Sequence, residues 1–192
     1  MTVSIWFDPS CLFTWRTGRW LRAAAAARGE PVRWRLMSLA VLNADNDVTP
    51  RFREQMRRTQ LASRVLAAAE AQHGSEGLDA VYTALGTRVH EQGQDMDRAA
   101  MEAALGEAGL PGALLAAYED ESQDAAVRAS HDEAQARAGQ ESGSPVVAVD
   151  DGPGFFGPIV SEVPTGQAAD RLYDALRLLS AVPEFSELKR AR

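Results

Sequence analysis

Cysteine occurs once in the 192 residues, at Cys11, which excludes an internal disulfide framework and any metal site built from several thiolates. A lone thiol stays free in a reducing compartment, so a cytoplasmic location is expected. Positive charge is also short: 20 lysine and arginine residues against 27 aspartate and glutamate leave a net charge of −7. That balance argues against broad binding to a nucleic-acid backbone. No run approaches the ~20 uninterrupted apolar residues of a membrane helix. The opening residues, Met1 to Asp8, show neither a basic region nor an apolar leader, so neither a membrane role nor a secretory signal is expected. The histidines, His73, His90 and His131, lack metal-ligand spacing, and structural or solvated roles are expected for them. Internal repeats and low-complexity segments are missing too. What remains is an ordinary globular composition, 45% apolar and 24% charged, on a chain long enough for one packed domain with a second lobe inserted into it.

Along the chain, Val3-Ser4-Ile5-Trp6-Phe7 is β-branched and aromatic and ends at Asp8-Pro9, which reads as a buried strand closed by a breaker. A helix then starts near Cys11, with an alanine-rich body from Trp15 to Arg28 and Trp20, Leu21 and Ala24 on its buried face; Gly29 and Pro31 end it. Val32 to Leu36 alternates apolar and basic residues, a half-buried strand with arginines on its wetter face. From Pro50 to Gly139 strand signals vanish, and glycines at 74, 93, 109 and 139 mark helix stops, which predicts four or five helices. Leu78, Val81, Tyr82, Leu85 and Val89 form the best amphipathic stripe. Val146 to Val149 then reads as a buried strand and Phe155 to Pro158 as its hairpin partner. A last helix, about Gln167 to Ser180, places Leu172, Leu176 and Leu179 on one face. The order β-α-β, helices, β-β-α predicts an α/β fold: a thioredoxin-like core from residues 1–49 and 140–192, with an all-helical lobe, 50–139, inserted in its middle.

Chemistry concentrates at the start of the first helix. A cysteine at a helix N-terminus faces unpaired backbone N–H groups and the positive end of the helix dipole, which favour thiolate over thiol and make Cys11 a candidate nucleophile. The competing reading is a buried cysteine packed as a small hydrophobe. Arg16, Arg19, Arg22, Arg33 and Arg35 gather positive charge in the same region, which suits an anionic small ligand. Gly143-Ser144-Pro145 puts a proline at the opening of a strand, where it cannot donate to the ladder and where a cis bond is a usual accommodation; an ordinary trans proline at a strand edge is the alternative. Ser144 and Pro145 then become candidates to hold a sulfur-bearing substrate by strand-like backbone pairing. Thr14 stands where a C-x-x-C motif has its second cysteine; its hydroxyl could bond the Cys11 sulfur, or serve backbone groups as a first-turn threonine, and it cannot attack a mixed disulfide. Phe13 is a candidate cover over the sulfur, whereas Trp6, Trp15, Trp20 and Trp34 are expected in the core.

These residues carry a resemblance. The chain is similar to the DsbA-like thioredoxin-fold proteins, and within them to the mycothiol-dependent nitroreductase group of actinobacterial type. The similar stretches are "WFDPSC" and "TGRW" around Cys11, "MSLAVLN" ending at Asn43, "YTALGTRVHEQG" from Tyr82, "GSPVVAV" from Gly143, "FFGP" from Phe155 and "ELKR" from Glu187. The resemblance implies a nucleophile at Cys11, a cis-proline at Pro145, a cleft lined by Asn43 between core and lobe, and mycothiol as the low-molecular-weight thiol. It implies no metal and no nucleotide cofactor. Where the group has Cys-Pro-Trp-Cys, this chain has Cys11-Leu12-Phe13-Thr14, so a dithiol cycle is impossible and nitroreductase activity is put in doubt.

The expected function is that of a monothiol thiol-disulfide oxidoreductase: Cys11 forms a mixed disulfide that a small thiol, mycothiol by resemblance, resolves. Its partners would be a small-molecule thiol or disulfide and an electrophilic or nitroaromatic compound. Two other readings stay open. Thr14 fits a kappa-class-like transferase or isomerase that uses a bound thiol as cofactor, and the missing second cysteine fits a binding module without turnover.

Overall fold

The computed structural model describes residues 1–189. The last three positions of the expected core segment 140–192, with Arg190 of the Glu187-to-Arg190 stretch, lie outside the described residues. A four-stranded sheet has the order β2-β1-β3-β4. Its central strand β1 (Val3–Phe7) is buried at every residue, because both faces of the sheet are covered. Val3, Ile5 and Phe7 point to one face and join Trp15, Trp20, Trp34 and Tyr82, whereas Trp6 turns to the other, against Met37, Ala134, Val146 and Ala148. β2 (Val32–Leu36) runs parallel to β1, Val3 opposite Val32; its arginines take the less buried positions, as expected. β3 (Val146–Val149) lies antiparallel to β1 with Trp6 opposite Val146, and β4 (Gly154–Phe156) antiparallel to β3.

Between β1 and β2 runs α1 (Leu12–Ala26), whose Trp20 meets Tyr173 of α6 (Gly166–Ser180) edge-on at 6.3 Å. Leu176 of α6 is buried and Leu172 packs partly against the core; Tyr173, which donates to the Glu30 carboxylate, fills the centre of the face expected from leucines alone. The intervening stretch is helical, comprising α2 (Leu39–Leu42), α3 (Pro50–Gly86), a π-helical turn (Thr87–Glu91), α4 (Arg98–Glu107), two 3-10 segments and α5 (Asp124–Ala138). The fold is therefore an α/β, DsbA-like thioredoxin fold with a long inserted helical region, α3 to α5.

The helix stop that the sequence predicts at Gly74 is present as a sharp kink between two helical runs of α3. Gly74 adopts φ 68° and ψ −169°, after which helical geometry resumes. A residue with a Cβ resists that conformation. The kink brings Ser75 against β2, where its hydroxyl accepts from Trp34 N–H at 2.7 Å and donates to Trp34 C=O at 3.3 Å, so the outer edge of the sheet is capped locally by a side chain.

Beyond the kink, Leu78, Val81, Tyr82 and Leu85 are buried as the stripe predicts, and Val89 packs partly against them. At the end of α3 a Cβ on Gly86 would lie 2.3 Å from the Trp15 ring, so the close approach of α1 and α3 needs glycine there. Gly86→Ala should overpack this contact and lower the free energy of unfolding by about 1–3 kcal/mol, read from urea denaturation curves.

Candidate active site

Sheet register builds the site. Since Trp6 faces Val146 in an antiparallel pair, two residues further along β1 and two back from β3 bring Asp8 opposite Ser144. The Asp8 N–H donates to Ser144 Oγ at 2.8 Å. Cys11 is the N-cap of α1, in extended geometry (φ −83°, ψ 110°), and its side chain caps no backbone group. Its thiol instead donates to the Ser144 carbonyl at 3.4 Å. Thr14 is fully buried one turn into α1, and its hydroxyl pairs with Ser144 Oγ at 2.6 Å. The hydrogen bond that Thr14 makes is therefore to Ser144. The Ser144–Pro145 peptide is cis, and Pro145 C=O accepts from Gly157 N–H at 2.9 Å. Cys11, Thr14, Ser144 and Pro145 thus meet at the junction of β1, α1 and β3. Phe13, next to the sulfur in sequence, is half-buried. Asn43 lies at the end of α2 and turns back on its own helix, its amide N–H donating to Leu39 C=O at 2.8 Å and its carbonyl accepting from Asn46.

Residues that sequence reasoning treated as punctuation or left aside brace this junction. Asp8, read as part of a breaker, is fully buried, and its carboxylate accepts from Ser10 N–H at 2.8 Å, Ser10 O–H at 2.6 Å and Leu39 N–H at 2.7 Å. Burial pushes its pKa above the usual aspartate value, against the pull of those donors. The signal was present: aspartate two residues before an N–H in Asp8-Pro9-Ser10 is the pattern of an Asx-turn. The Leu39 contact ties α2, and with it Asn43, to the loop that carries Cys11.

His90, presented by the π-helical turn, stacks on Trp15 at 5.7 Å with 25° between planes and reaches Pro9 C=O at 2.9 Å. A carbonyl only accepts, so Nε2 carries the proton. His131, which the sequence places in a polar stretch, is buried, and its Nδ1 accepts from Ser38 N–H at 3.4 Å. Burial lowers the pKa of both rings, so both are held neutral. His73 is exposed.

The arginine cluster is less open to a ligand than its sequence suggests. Arg22 pairs with Asp79 and Arg35 with Glu70 and Glu133, while Arg19 lies over the Trp15 ring at 5.4 Å. Among the described residues no group of three or more histidine, cysteine, aspartate or glutamate side chains could hold a metal ion, and no helix is long and apolar enough to cross a membrane.

A free thiol at a helix start, facing the residue before a cis-proline, sits here within a pattern that covers residues 10–190. That pattern is the one described as Rv2466c-like, mycothiol-dependent nitroreductase Rv2466c. The chain belongs to this mycothiol-dependent nitroreductase family. An uncharacterised protein of Mycobacterium tuberculosis, Rv2286c, is 30% identical over 193 residues, covering 100% of this chain and 82% of that protein. Among solved structures, a probable DsbA oxidoreductase, SCO1869 of Streptomyces coelicolor, aligns with a TM-score of 0.62 at 19% identity over 100% of this chain and 94% of that one. The cytosolic disulfide reductase DsbM of Pseudomonas aeruginosa, solved with GSH, aligns with a TM-score of 0.56 at 20% identity, over 94% and 98% of the two chains. At these identities the two structures share its fold. Thr14 stands where a C-x-x-C motif starting at Cys11 would have its second cysteine.

The neutral histidines set a pH dependence. A depressed folded-state pKa means that the unfolded chain binds more protons, so the stabilisation is complete above the unfolded histidine value of about 6.5 and is lost as pH falls towards the folded values. Unfolding free energy should therefore drop between about pH 7 and pH 5, and the double variant His90→Gln, His131→Gln should flatten that slope in urea titrations at each pH.

Proposed function

We propose that this protein is a monothiol thiol-disulfide oxidoreductase that works through Cys11 with a low-molecular-weight thiol, mycothiol. One observation carries the reading: the lone cysteine stands at the α1 N-terminus, 3.4 Å from the carbonyl of Ser144, while the hydroxyl at position 14 is engaged by Ser144 Oγ. The family supports mycothiol as the thiol and a nitroaromatic or other electrophilic small molecule as a further substrate.

In the proposed cycle the Cys11 thiolate attacks the mycothiol sulfur of a mixed disulfide. An S–S bond forms between Cys11 and mycothiol, the old S–S bond breaks, and the substrate thiolate leaves with the electron pair and takes a proton. A second mycothiol, as thiolate, attacks the mycothiol sulfur of that adduct, releasing mycothiol disulfide and the Cys11 thiolate. Overall one free mycothiol is consumed: its sulfur is oxidised into mycothiol disulfide while the substrate sulfur is reduced to a thiol. Thr14 and Ser144 hold each other and so fix the carbonyl against which the sulfur rests, and Pro145 sets the direction of the chain at that point. Phe13 and Asn43 are the residues we place along the path of the small molecule. A reducing cytoplasm, which keeps the thiol free, is the compartment this chemistry suits.

Incubation with a mycothiol mixed disulfide should add one mycothiol per chain by mass spectrometry, and Cys11→Ser should abolish both the adduct and turnover. An undiminished exchange rate in Cys11→Ser would overturn the reading. Thr14→Cys should create an internal disulfide on oxidation and lower the yield of the stable mycothiol adduct.

A further inference from the structure

The two neutral histidines around the reactive loop make their hydrogen bonds in opposite senses. His90 donates its Nε2 proton to Pro9 C=O at 2.9 Å, whereas His131 accepts the Ser38 N–H at Nδ1 at 3.4 Å. A second proton leaves the His90 bond in place, because its donor is unchanged. The same event removes the His131 bond, because both ring nitrogens then carry hydrogen and the Ser38 N–H faces a donor.

The amide that His131 holds sits at the base of α2. Ser38 is 1% exposed and caps that helix, its hydroxyl accepting from Val41 N–H at 3.2 Å. From Leu39 to Gln55 no residue is buried, so α2 and the chain after it have no side chain sunk in the core to hold them. Their base is fixed through two successive backbone amides, Ser38 N–H on His131 of α5 and Leu39 N–H on the Asp8 carboxylate at 2.7 Å. Asp8 in turn accepts the Cys11 N–H at its own carbonyl at 3.1 Å and donates to Ser144 Oγ at 2.8 Å. Bonded groups thus run without a gap from His131, through the start of α2, to the turn that carries Cys11.

We infer that His131 is a proton-sensitive clasp on the start of α2: neutral, it holds the Ser38 amide and fixes α2 to α5 beside the reactive turn; protonated, it releases that amide and α2 opens to solvent. A buried N–H without an acceptor is unfavourable, so the released amide is driven towards water. The surroundings of the ring suit the role. Burial holds its pKa below the ordinary histidine value, while on its own helix Asp132 pulls it up and Arg128 pushes it down. The charges on the other elements around it are engaged elsewhere: Arg35 of β2 pairs with Glu70 of α3 and Glu133 of α5, and Asp8 accepts from Ser10 and Leu39. Opening returns the ring to water and to a value near 6.5, so falling pH favours the open form and rising pH the clasped one. The clasp operates whether or not Cys11 carries exchange chemistry.

Backbone hydrogen exchange, followed by mass spectrometry on peptides covering residues 38–49 and corrected for the intrinsic pH dependence of exchange, reads the opening. At about pH 5.5, one unit below the free histidine value, protection there should be about tenfold lower than at about pH 7.5. At both pH values it should be lower than in β1 and β3, the mark of a local opening. His131→Asn places an amide oxygen near the position of Nδ1, where it accepts from Ser38 N–H and does not titrate, and Asp8 and His90 are common to both proteins. Protection at 38–49 should then be equal at the two pH values. A fall in the variant as large as in the wild type would overturn the inference, and so would protection at 38–49 equal to that of β1 and β3, which marks opening only with the whole fold. Should the variant not fold, the wild-type protein decides: in NMR spectra the Ser38 amide resonance should titrate with the midpoint of the His131 ring, and a Ser38 amide without that inflection would reject the clasp.

Discussion

The Ser144 hydroxyl is the joint on which the site depends. It meets the Asp8 N–H at the end of β1 and the Thr14 hydroxyl one turn into α1, and it belongs to the residue before the cis-proline that opens β3. Two neighbouring segments near the start of the chain and a third, 130 or more residues away, are locked by one oxygen that is itself buried. Because it is buried, its partners are not exchangeable for water, and the geometry they impose on the neighbouring Ser144 carbonyl is correspondingly firm. The Cys11 sulfur rests on that carbonyl.

Behind this joint the inserted helices act as a backing plate. Tyr82 and Gly86 of α3 press on Phe7 and Trp15, and the π-helical turn delivers His90 to Pro9. From the opposite side Asp8 gathers the Ser10 and Leu39 amides, and His131 takes the Ser38 N–H at the start of α2. The loop from Asp8 to Cys11 is therefore held from the sheet, from the insertion and from α2 together. A reactive sulfur gains from such support, because its position relative to incoming groups does not have to be found anew in each encounter.

Much of the fold was legible because its signals are local. β-branched and aromatic runs marked β1 and β3, alternation marked β2, and the stripe from Leu78 to Leu85 marked the buried face of α3. Gly74 is another such signal: its positive φ ends one helical run, and the next begins at once with Ser75 bonded to β2. The candidate nucleophile and the proline opposite it were visible as residue types at the start of a helix and a strand. Their buried supports were not. Asp8 and His131 look like solvated polar residues until the sheet and α5 close over them, and the pairing of Thr14 with Ser144 joins residues that only the register of β3 brings together.

The single thiol has a thermodynamic consequence. A protein with two neighbouring cysteines can store an oxidising equivalent within itself, and its redox balance is then a property of one molecule. Here a disulfide at Cys11 can exist only as a covalent union with another molecule, since no second thiol is present to close a ring within the chain. Its redox balance accordingly follows an exchange in which one thiol and one disulfide give one disulfide and one thiol. The fraction in the mixed-disulfide state is set by the ratio of the partner's disulfide to its thiol and is unchanged by uniform dilution, whereas a pair of cysteines closing a ring releases two small thiols and so responds to dilution.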